Sequence, residues 1–327
     1  MPKHHHPIHV QHAWPSKRSF HIEKLATWTH GIHIPNFIGD LTSLRYLNLS
    51  YYSWSGSFVG EIPPSLGNLS NLNYLDLSTD YDYYSDVYSK SLNWLSHLSS
   101  LKYLNLRGAN LNNTGVSWLH AVNMLPSLLE LHLSNCQING NQVPLSLPTI
   151  NFTSLLVLDM SHNDINSSFP KWLFNLTSLS KLDLGGNPFL RPSLEEFVRL
   201  KALEYLDLWS IGLEGQLLPF GNLCKLKSLR LTANKFDGGI EEFLSGFSNC
   251  SFNRMESLGL SNCGLEGELP SSLGKLKSLQ LLDLRDNSFW GSIPESIFSN
   301  LSSSIKTLSL GGNLFNGSIP ESLGQLS

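Results

Sequence analysis

SLQLLDLRDNSFWGSIPESIFSNL, residues 278–301, reads as one complete structural unit. Leu282 and Leu284 are two apart, so in an extended strand both point to one side and Asp283 to the other. Asn287 follows five positions after Leu282, where the chain leaves the strand. An inward amide there can satisfy turn N–H and C=O groups that water cannot reach. Gly291 permits an unusual backbone angle, Ile293 fills the core, and Pro294 ends strand pairing and suits the start of a helical turn. One such strand cannot bury its leucines alone, but copies stacked about 4.8 Å apart can.

The copies are present. LxxLxL recurs as LRYLNL, LNYLDL, LKYLNL, LLELHL, LLVLDM, LSKLDL, LEYLDL, LKSLRL, MESLGL, LQLLDL and IKTLSL. Its second apolar position falls at Leu47, Leu75, Leu104, Leu131, Leu158, Leu182, Leu206, Leu229, Leu258, Leu282 and Leu308, in steps of 23 to 29 residues. That spacing is the leucine-rich-repeat period. Asn163, Asn187, Asn234, Asn287 and Asn313 stand at the turn position, and Cys136 and Cys263 take it in two units, as small, buried, unpaired thiols. The first two units and those at Ala109 and Ile211 lack the amide, so their turns should be looser or differently bonded. GEIPPSLGNL (60–69), GELPSSLGKL (267–276) and GSIPESLGQL (317–326) repeat the second half of the unit. The expected fold is an α/β repeat: a right-handed leucine-rich-repeat solenoid, curved as a horseshoe. Its concave face is a parallel β-sheet, and its convex face holds irregular and 3-10 turns.

Residues 36–327 form this domain of about eleven repeats. Residues 1–35 are either a disordered leader or a degenerate N-terminal cap. Eight of the twelve histidines lie in the first 33 residues, which reads either as a metal-binding tract or as a leader with no core to join. The chain stops at ESLGQLS (321–327), where near-copies at 64–70 and 271–277 run on into another repeat, so the domain is expected to be truncated at its C-terminal end. The insertion STDYDYYSDVYSK (78–90) is either a tyrosine-rich recognition loop or a variable surface loop.

Composition narrows the function classes. Charged residues are 15 % and the formal net charge is −4, so no polycationic surface points to nucleic acid or anionic lipid. Polar residues interrupt every leucine cluster, and no apolar run reaches the roughly 18 residues of a membrane span. The N-terminus lacks the apolar stretch of a secretory signal. No GxSxG, phosphate-cradling loop, kinase set or HExxH is found, and no Cys/His spacing suggests a metal, so no catalytic, metal or cofactor site is expected. His132 and His162 lie near Asp159 on neighbouring repeats, but as solvated strand-ladder residues rather than an acid–base pair.

Function then falls to outward residues of the strands. The position between the two leucines reads Asn48, Asp76, Asn105, His132, Asp159, Asp183, Asp207, Arg230, Gly259, Asp283, Ser309. Aspartate there is partly structural habit. Residues that break the habit are Tyr46, Tyr74, Tyr103, Arg107, His132, His162, Tyr205, Trp209, Arg230 and Arg285. Trp, Tyr and Arg anchor protein interfaces. The expected ligand-binding set is Tyr74, Tyr103, Arg107, His132, Tyr205, Trp209 and Arg230, with Tyr205, Trp209 and Arg230 as one patch and Tyr74, Tyr103 and Arg107 as another. Nine N-x-S/T sequons occur, at Asn48, Asn68, Asn112, Asn151, Asn166, Asn175, Asn249, Asn300 and Asn316.

GEIPPSLGNLSNLNYLDLS (60–78), VNMLPSLLELHLSNCQI (122–138), NFTSLLVLDMSHNDINSSFPKWLFNLTSL (151–179) and GNLCKLKSLRL (221–231) carry a resemblance to plant receptor-like proteins of the ethylene-inducing xylanase receptor group. The similarity runs over about residues 36–327. It implies part of a non-enzymatic ectodomain that senses a microbial or plant protein or peptide in defence and signals through a receptor-kinase co-receptor. It further implies a place at the outer face of the plasma membrane. Cysteines stand at places matching Cys224 and Cys250 in similar members, which implies a disulfide between these two on the back of the solenoid. Family members carry a cap with a tryptophan between two cysteines. Here HIEKLATWTHGIHIPNFIGDLTSL (21–44) has Trp28 but no cysteine precedes Cys136. An alternative of another class is a soluble inhibitor of microbial wall-degrading enzymes such as polygalacturonase, and a third is a truncated, non-functional receptor product.

Overall fold

The computed structural model describes residues 31–50, 58–79, 86–217, 219, 223–247, 250, 253–301 and 303–322. Each LxxLxL copy forms one three-residue strand. These are β1 (Tyr46–Asn48), β2 (Tyr74–Asp76), β3 (Tyr103–Asn105), β4 (Glu130–His132), β5 (Val157–Asp159), β6 (Lys181–Asp183), β7 (Tyr205–Asp207), β8 (Ser228–Arg230), β9 (Ser257–Gly259), β10 (Leu281–Asp283) and β11 (Thr307–Ser309). They build one all-parallel sheet in chain order. Register is uniform, with Leu47 opposite Leu75 at one end and Leu282 opposite Leu308 at the other. The paired leucines point inward and form one continuous buried core from Leu47 to Leu284. This is a leucine-rich-repeat solenoid.

The turn asparagines act across repeats. Oδ1 of Asn163 accepts the N–H groups of Cys136 (2.9 Å) and Ile138 (3.0 Å), in the unit before it. Its Nδ2 donates to Leu133 and Met160 carbonyls, one in each unit. Asn234 does the same for Ile211 and Leu213, and Asn287 for Cys263 and Leu265. A unit without its own asparagine is therefore served by the next unit: the turn at Ile211 is bonded by Asn234. The turn at Ala109 is differently bonded, because the next unit supplies Cys136. A thiol has no strong acceptor to offer, and the main-chain carbonyl of Cys136 accepts the Leu111 N–H instead (2.9 Å). The Cys263 carbonyl takes the Phe236 N–H in the same way (2.7 Å). In the second unit the turn position, residue 80, lies outside the described residues, as does residue 52 in the first.

One position before the turn residue the backbone is left-handed in every unit from β3 onward. Glycine occupies it at Gly108, Gly186 and Gly312, and Asn135, His162, Ser210, Ala233, Asn262 and Asp286 adopt φ between 50° and 59°. On the convex side, 3-10 turns such as Pro64–Asn68, Asn93–His97 and Ser271–Lys275 alternate with short helices α1 (Ser117–Asn123), α2 (Glu241–Gly246) and α3 (Glu295–Leu301). Gly67 is required there: a Cβ on it would lie 2.7 Å from the Trp94 carbonyl oxygen of the next turn.

Short second sheets flank the main one, pairing Gly60–Glu61 with Val87–Tyr88, Glu214–Gln216 with Lys235–Asp237, and Glu266–Gly267 with Ser288–Gly291 and Leu314–Phe315. Val87–Tyr88 is the described end of the tyrosine-rich insertion, whose residues 80–85 lie outside the described set. Of the histidine-rich segment, residues 1–30 also lie outside it. Ile34 is buried and Ile32 bridges Phe58, so residues 31–35 pack onto the first repeat. Residues 323–327 of ESLGQLS lie outside the described residues. Among the described residues no helix is long and apolar enough to cross a membrane, and no group of three or more His, Cys, Asp or Glu side chains is placed to hold a metal.

Candidate functional site on the concave sheet

The position between the leucines is less free than its outward direction suggests. Asp76 and Asn105 are buried, and the acidic or amide Oδ1 at this position accepts the main-chain N–H two residues on in seven units: Ser50, Ser78, Arg107, Ser161, Gly185, Trp209 and Arg285. These side chains close the end of each strand. The structural share of this row, expected for its aspartates, extends to the amides of Asn48 and Asn105.

Uniform register also governs the tyrosines. Tyr46, Tyr74 and Tyr103 occupy the same position on adjacent strands, so their rings stack at 4.3 and 4.2 Å. Glu130 continues the row in register, and the ring of His132, two residues further on, lies against Tyr103 at 5.3 Å, tilted, with its Nε2 3.5 Å from Glu130. Such stacking contributes about 0.5–1.5 kcal/mol per pair beyond area burial, so the tyrosines stabilise the sheet while presenting their edges. The Tyr74 hydroxyl donates to Asp76 Oδ2 (3.2 Å), and the Tyr103 oxygen accepts from Asn105 Nδ2 (3.3 Å). Burial, then the Asp76 charge, pushes both phenols well above their ordinary pKa. Arg107 is exposed beyond the end of β3, while the ring stack continues instead to His132.

The second patch is larger than Tyr205, Trp209 and Arg230. Trp209 is half-buried and lies over Gly186, where a Cβ would meet its ring at 2.8 Å. The indole meets His162 at 5.3 Å, and the Arg230 guanidinium sits 5.5 Å from its ring centre. Arg230 also pairs with Asp207 at 3.3 Å. Tyr205 is on the same strand, in register between Lys181 and Ser228. Beside it Asp159, Asp183 and Asp207 stand in register on β5, β6 and β7. Burial, then the charges of Asp159 and Asp207, raises the pKa of Asp183 well above the ordinary carboxylate value. Asp207 is also raised by burial, although Arg230 opposes it. Sequence reading treated this aspartate triplet as habit; its signal was three consecutive acidic ladder positions.

His132 and His162 do not converge on Asp159. The Asp159 Oδ1 is taken by Ser161 N–H (3.0 Å) and its hydroxyl (2.7 Å). Further along, Arg285 grips Asp283 through two bonds of 2.9 and 2.8 Å. Burial raises the Asp283 pKa, but the bonds and charge of Arg285 outweigh it and hold the carboxyl below its usual value. A polar hollow of about 470 Å³ between Asn112, Asn135, Gln137, Asn139, His162, Asn163 and Asp164 also escaped the sequence reading. The amide-rich run NCQINGNQ (135–142) was its available signal.

Cys224 and Cys250 form a disulfide, with Cα atoms 5.3 Å apart. Cys136 and Cys263 are free and buried, and burial pushes the Cys263 thiol up to about 11. Asn48, Asn68, Asn112, Asn151, Asn166, Asn175, Asn300 and Asn316 are all exposed; Asn249 lies outside the described residues. Of these, Asn48 alone sits between core leucines of the concave sheet.

Comparison with known proteins agrees with this architecture. The Leucine Rich Repeat family model matches residues 154–176, 254–276, 278–300 and 304–326. Receptor-like protein EIX1 of Solanum lycopersicum is 38 % identical over 54 % of the chain, and receptor-like protein EIX2 of the same species is 35 % identical over 81 %. The chain spans 16 % and 25 % of those two proteins. The ectodomain of the plant membrane receptor kinase GASSHO1/SCHENGEN3 from Arabidopsis thaliana, solved in complex with CASPARIAN STRIP INTEGRITY FACTOR 2, superposes with a TM-score of 0.67 at 29 % identity. That match covers 91 % of this chain and 36 % of the solved one. Repeat period, sheet and relatives lead to one assignment: the chain is a leucine-rich-repeat protein that resembles the plant receptor-like proteins of the EIX group.

Proposed function

We propose that the chain is part of the ligand-recognising ectodomain of a plant cell-surface receptor-like protein, non-enzymatic, sensing a microbial or plant protein or peptide in defence signalling. A receptor-kinase co-receptor would relay the signal. The observation that carries this reading is the His162–Trp209–Arg230 cluster beside the Asp159–Asp183–Asp207 row. Trp and Arg anchor interfaces, and three crowded carboxylates favour a ligand that presents a cationic group to them. The solved GASSHO1/SCHENGEN3 ectodomain, of like fold, is in complex with CASPARIAN STRIP INTEGRITY FACTOR 2.

The test is a chimera in which residues 36–327 replace the matching repeats of EIX2, expressed in leaves and challenged with fungal culture filtrates and synthetic peptides. An oxidative burst to one of these should fall at least tenfold in the Trp209→Ala and Arg230→Ala variants at equal surface abundance. An undiminished burst in both would reject the concave site. Inhibition of secreted polygalacturonase by the isolated chain would instead favour the inhibitor reading.

A further inference from the structure

We propose that the polar hollow between the turns after β3, β4 and β5 is a saccharide site, occupied by the proximal sugars of an N-linked glycan on Asn112. The inference rests on the extracellular reading, because glycosylation requires passage through the secretory route.

The hollow, at about 470 Å³, falls within the range of about 300–1,000 Å³ typical of ligand clefts. Its seven lining residues are all polar: four asparagines, a glutamine, a histidine and an aspartate. A peptide side chain finds no apolar anchor there, and a phosphate finds no Arg or Lys. Sugar hydroxyls and acetamido groups both donate and accept, which is what amides, an imidazole and a carboxylate complement. Asn163 is committed to the backbone and forms a fixed wall. Gln137 holds a left-handed φ of 57° at a place where two other repeats, at Gly212 and Gly264, use glycine.

The occupant follows from the lining itself. Asn112 belongs to the sequon Asn112-Asn113-Thr114, is exposed, and lines the hollow. Its Oδ1 accepts from Asn139 Nδ2 at 3.2 Å, so the amide that would carry the sugar is already held against the next repeat. A sugar attached there starts inside the hollow. A short tether gives an effective concentration on the order of millimolar, enough for contacts that would be too weak to capture a free sugar. The glycan would then clasp the turns of three successive repeats.

The test uses the full 327-residue chain behind a heterologous signal peptide, secreted from leaf cells. Glycopeptide mass spectrometry reads occupancy of Asn112, and hydrogen exchange reads residues 135–142 and 162–164. Asn112 should be glycosylated, and exchange over 135–142 should be about fivefold slower than in Asn112→Gln. Asn175→Gln, which removes a convex-side sequon, should leave those amides unchanged. Gln137→Gly removes a lining amide at a position where glycine is unstrained. It should abolish the slowing with the glycan still attached. An unmodified Asn112 in the secreted protein, or equal exchange in Asn112→Gln and the parent, overturns the inference. Neither result touches the Trp209 and Arg230 test.

Discussion

Asn287→Ala tests the claim that each repeat completes the turn of the one before it. The substitution strands two main-chain N–H groups, of Cys263 and Leu265, that Oδ1 holds at 3.0 and 3.1 Å. It also frees the carbonyls of Leu260 and Leu284, which Nδ2 holds at 2.8 and 3.0 Å. A buried donor left without a partner costs about 1–3 kcal/mol, and a carbonyl, with two lone pairs, costs less. The expected loss is about 3–5 kcal/mol. Urea unfolding measures the total, and hydrogen exchange locates it. The Cys263 and Leu265 amides should lose protection first, although they lie more than twenty residues upstream. Asn287→Cys should cost less than the alanine, because a thiol at this place still donates to the carbonyl of the preceding strand, as Cys136 does to Leu106 (3.1 Å) and Cys263 to Leu231 (3.2 Å). The reasoning fails if the alanine variant stays within about 1 kcal/mol of the parent, or if protection is lost only downstream of residue 287.

Gly67→Ala places a Cβ 2.7 Å from the Trp94 carbonyl oxygen and should cost about 1–3 kcal/mol in a denaturant titration. Asp183→Asn should raise Tm at pH 7. The folded-state pKa of Asp183 lies above its unfolded value, so its charge costs stability as pH rises from about 4 through the folded value. The gain should therefore shrink on acidification, and a gain that grew toward pH 4 would contradict the assignment. Asparagine keeps the N–H bond, as Asn48 and Asn105 already do at the same position. Cys250→Ser opens a link spanning 26 residues and should lower stability by about 3 kcal/mol under oxidising conditions, with no change when both proteins are reduced.

The repeat period, the strands and the inward leucines were legible because every unit repeats the same demand: two leucines two apart, followed by a polar turn. The direction in which the asparagine acts was not legible. Spacing places Asn234 in its own turn, and only the stacking of one unit on the next shows that it bonds Ile211 and Leu213. The concave site was half legible. Trp209 and Arg230 stood out by residue type, but the contact of Trp209 with His162 crosses about 47 residues and depends on Gly186 having no side chain between them.

One feature of the ladder explains which side chains are available for recognition. Three positions after the second leucine most units carry a small residue, and at Ser78 and Ser161 the hydroxyl adds a second bond to the aspartate that already holds the main-chain N–H. Arg107, Trp209 and Arg285 replace it in three units. Their N–H groups are still held, by Asn105, Asp207 and Asp283, so the backbone stays fixed while the side chain is released from the cap. Arg285 turns back and is spent on Asp283. Trp209 reaches instead across Gly186 to His162 and is flanked by Arg230. A rigid main chain carrying a large side chain that its own repeat does not need costs little entropy on binding, which is the physical condition for an anchor. By that criterion Trp209 outranks the tyrosines, whose rings already stabilise one another.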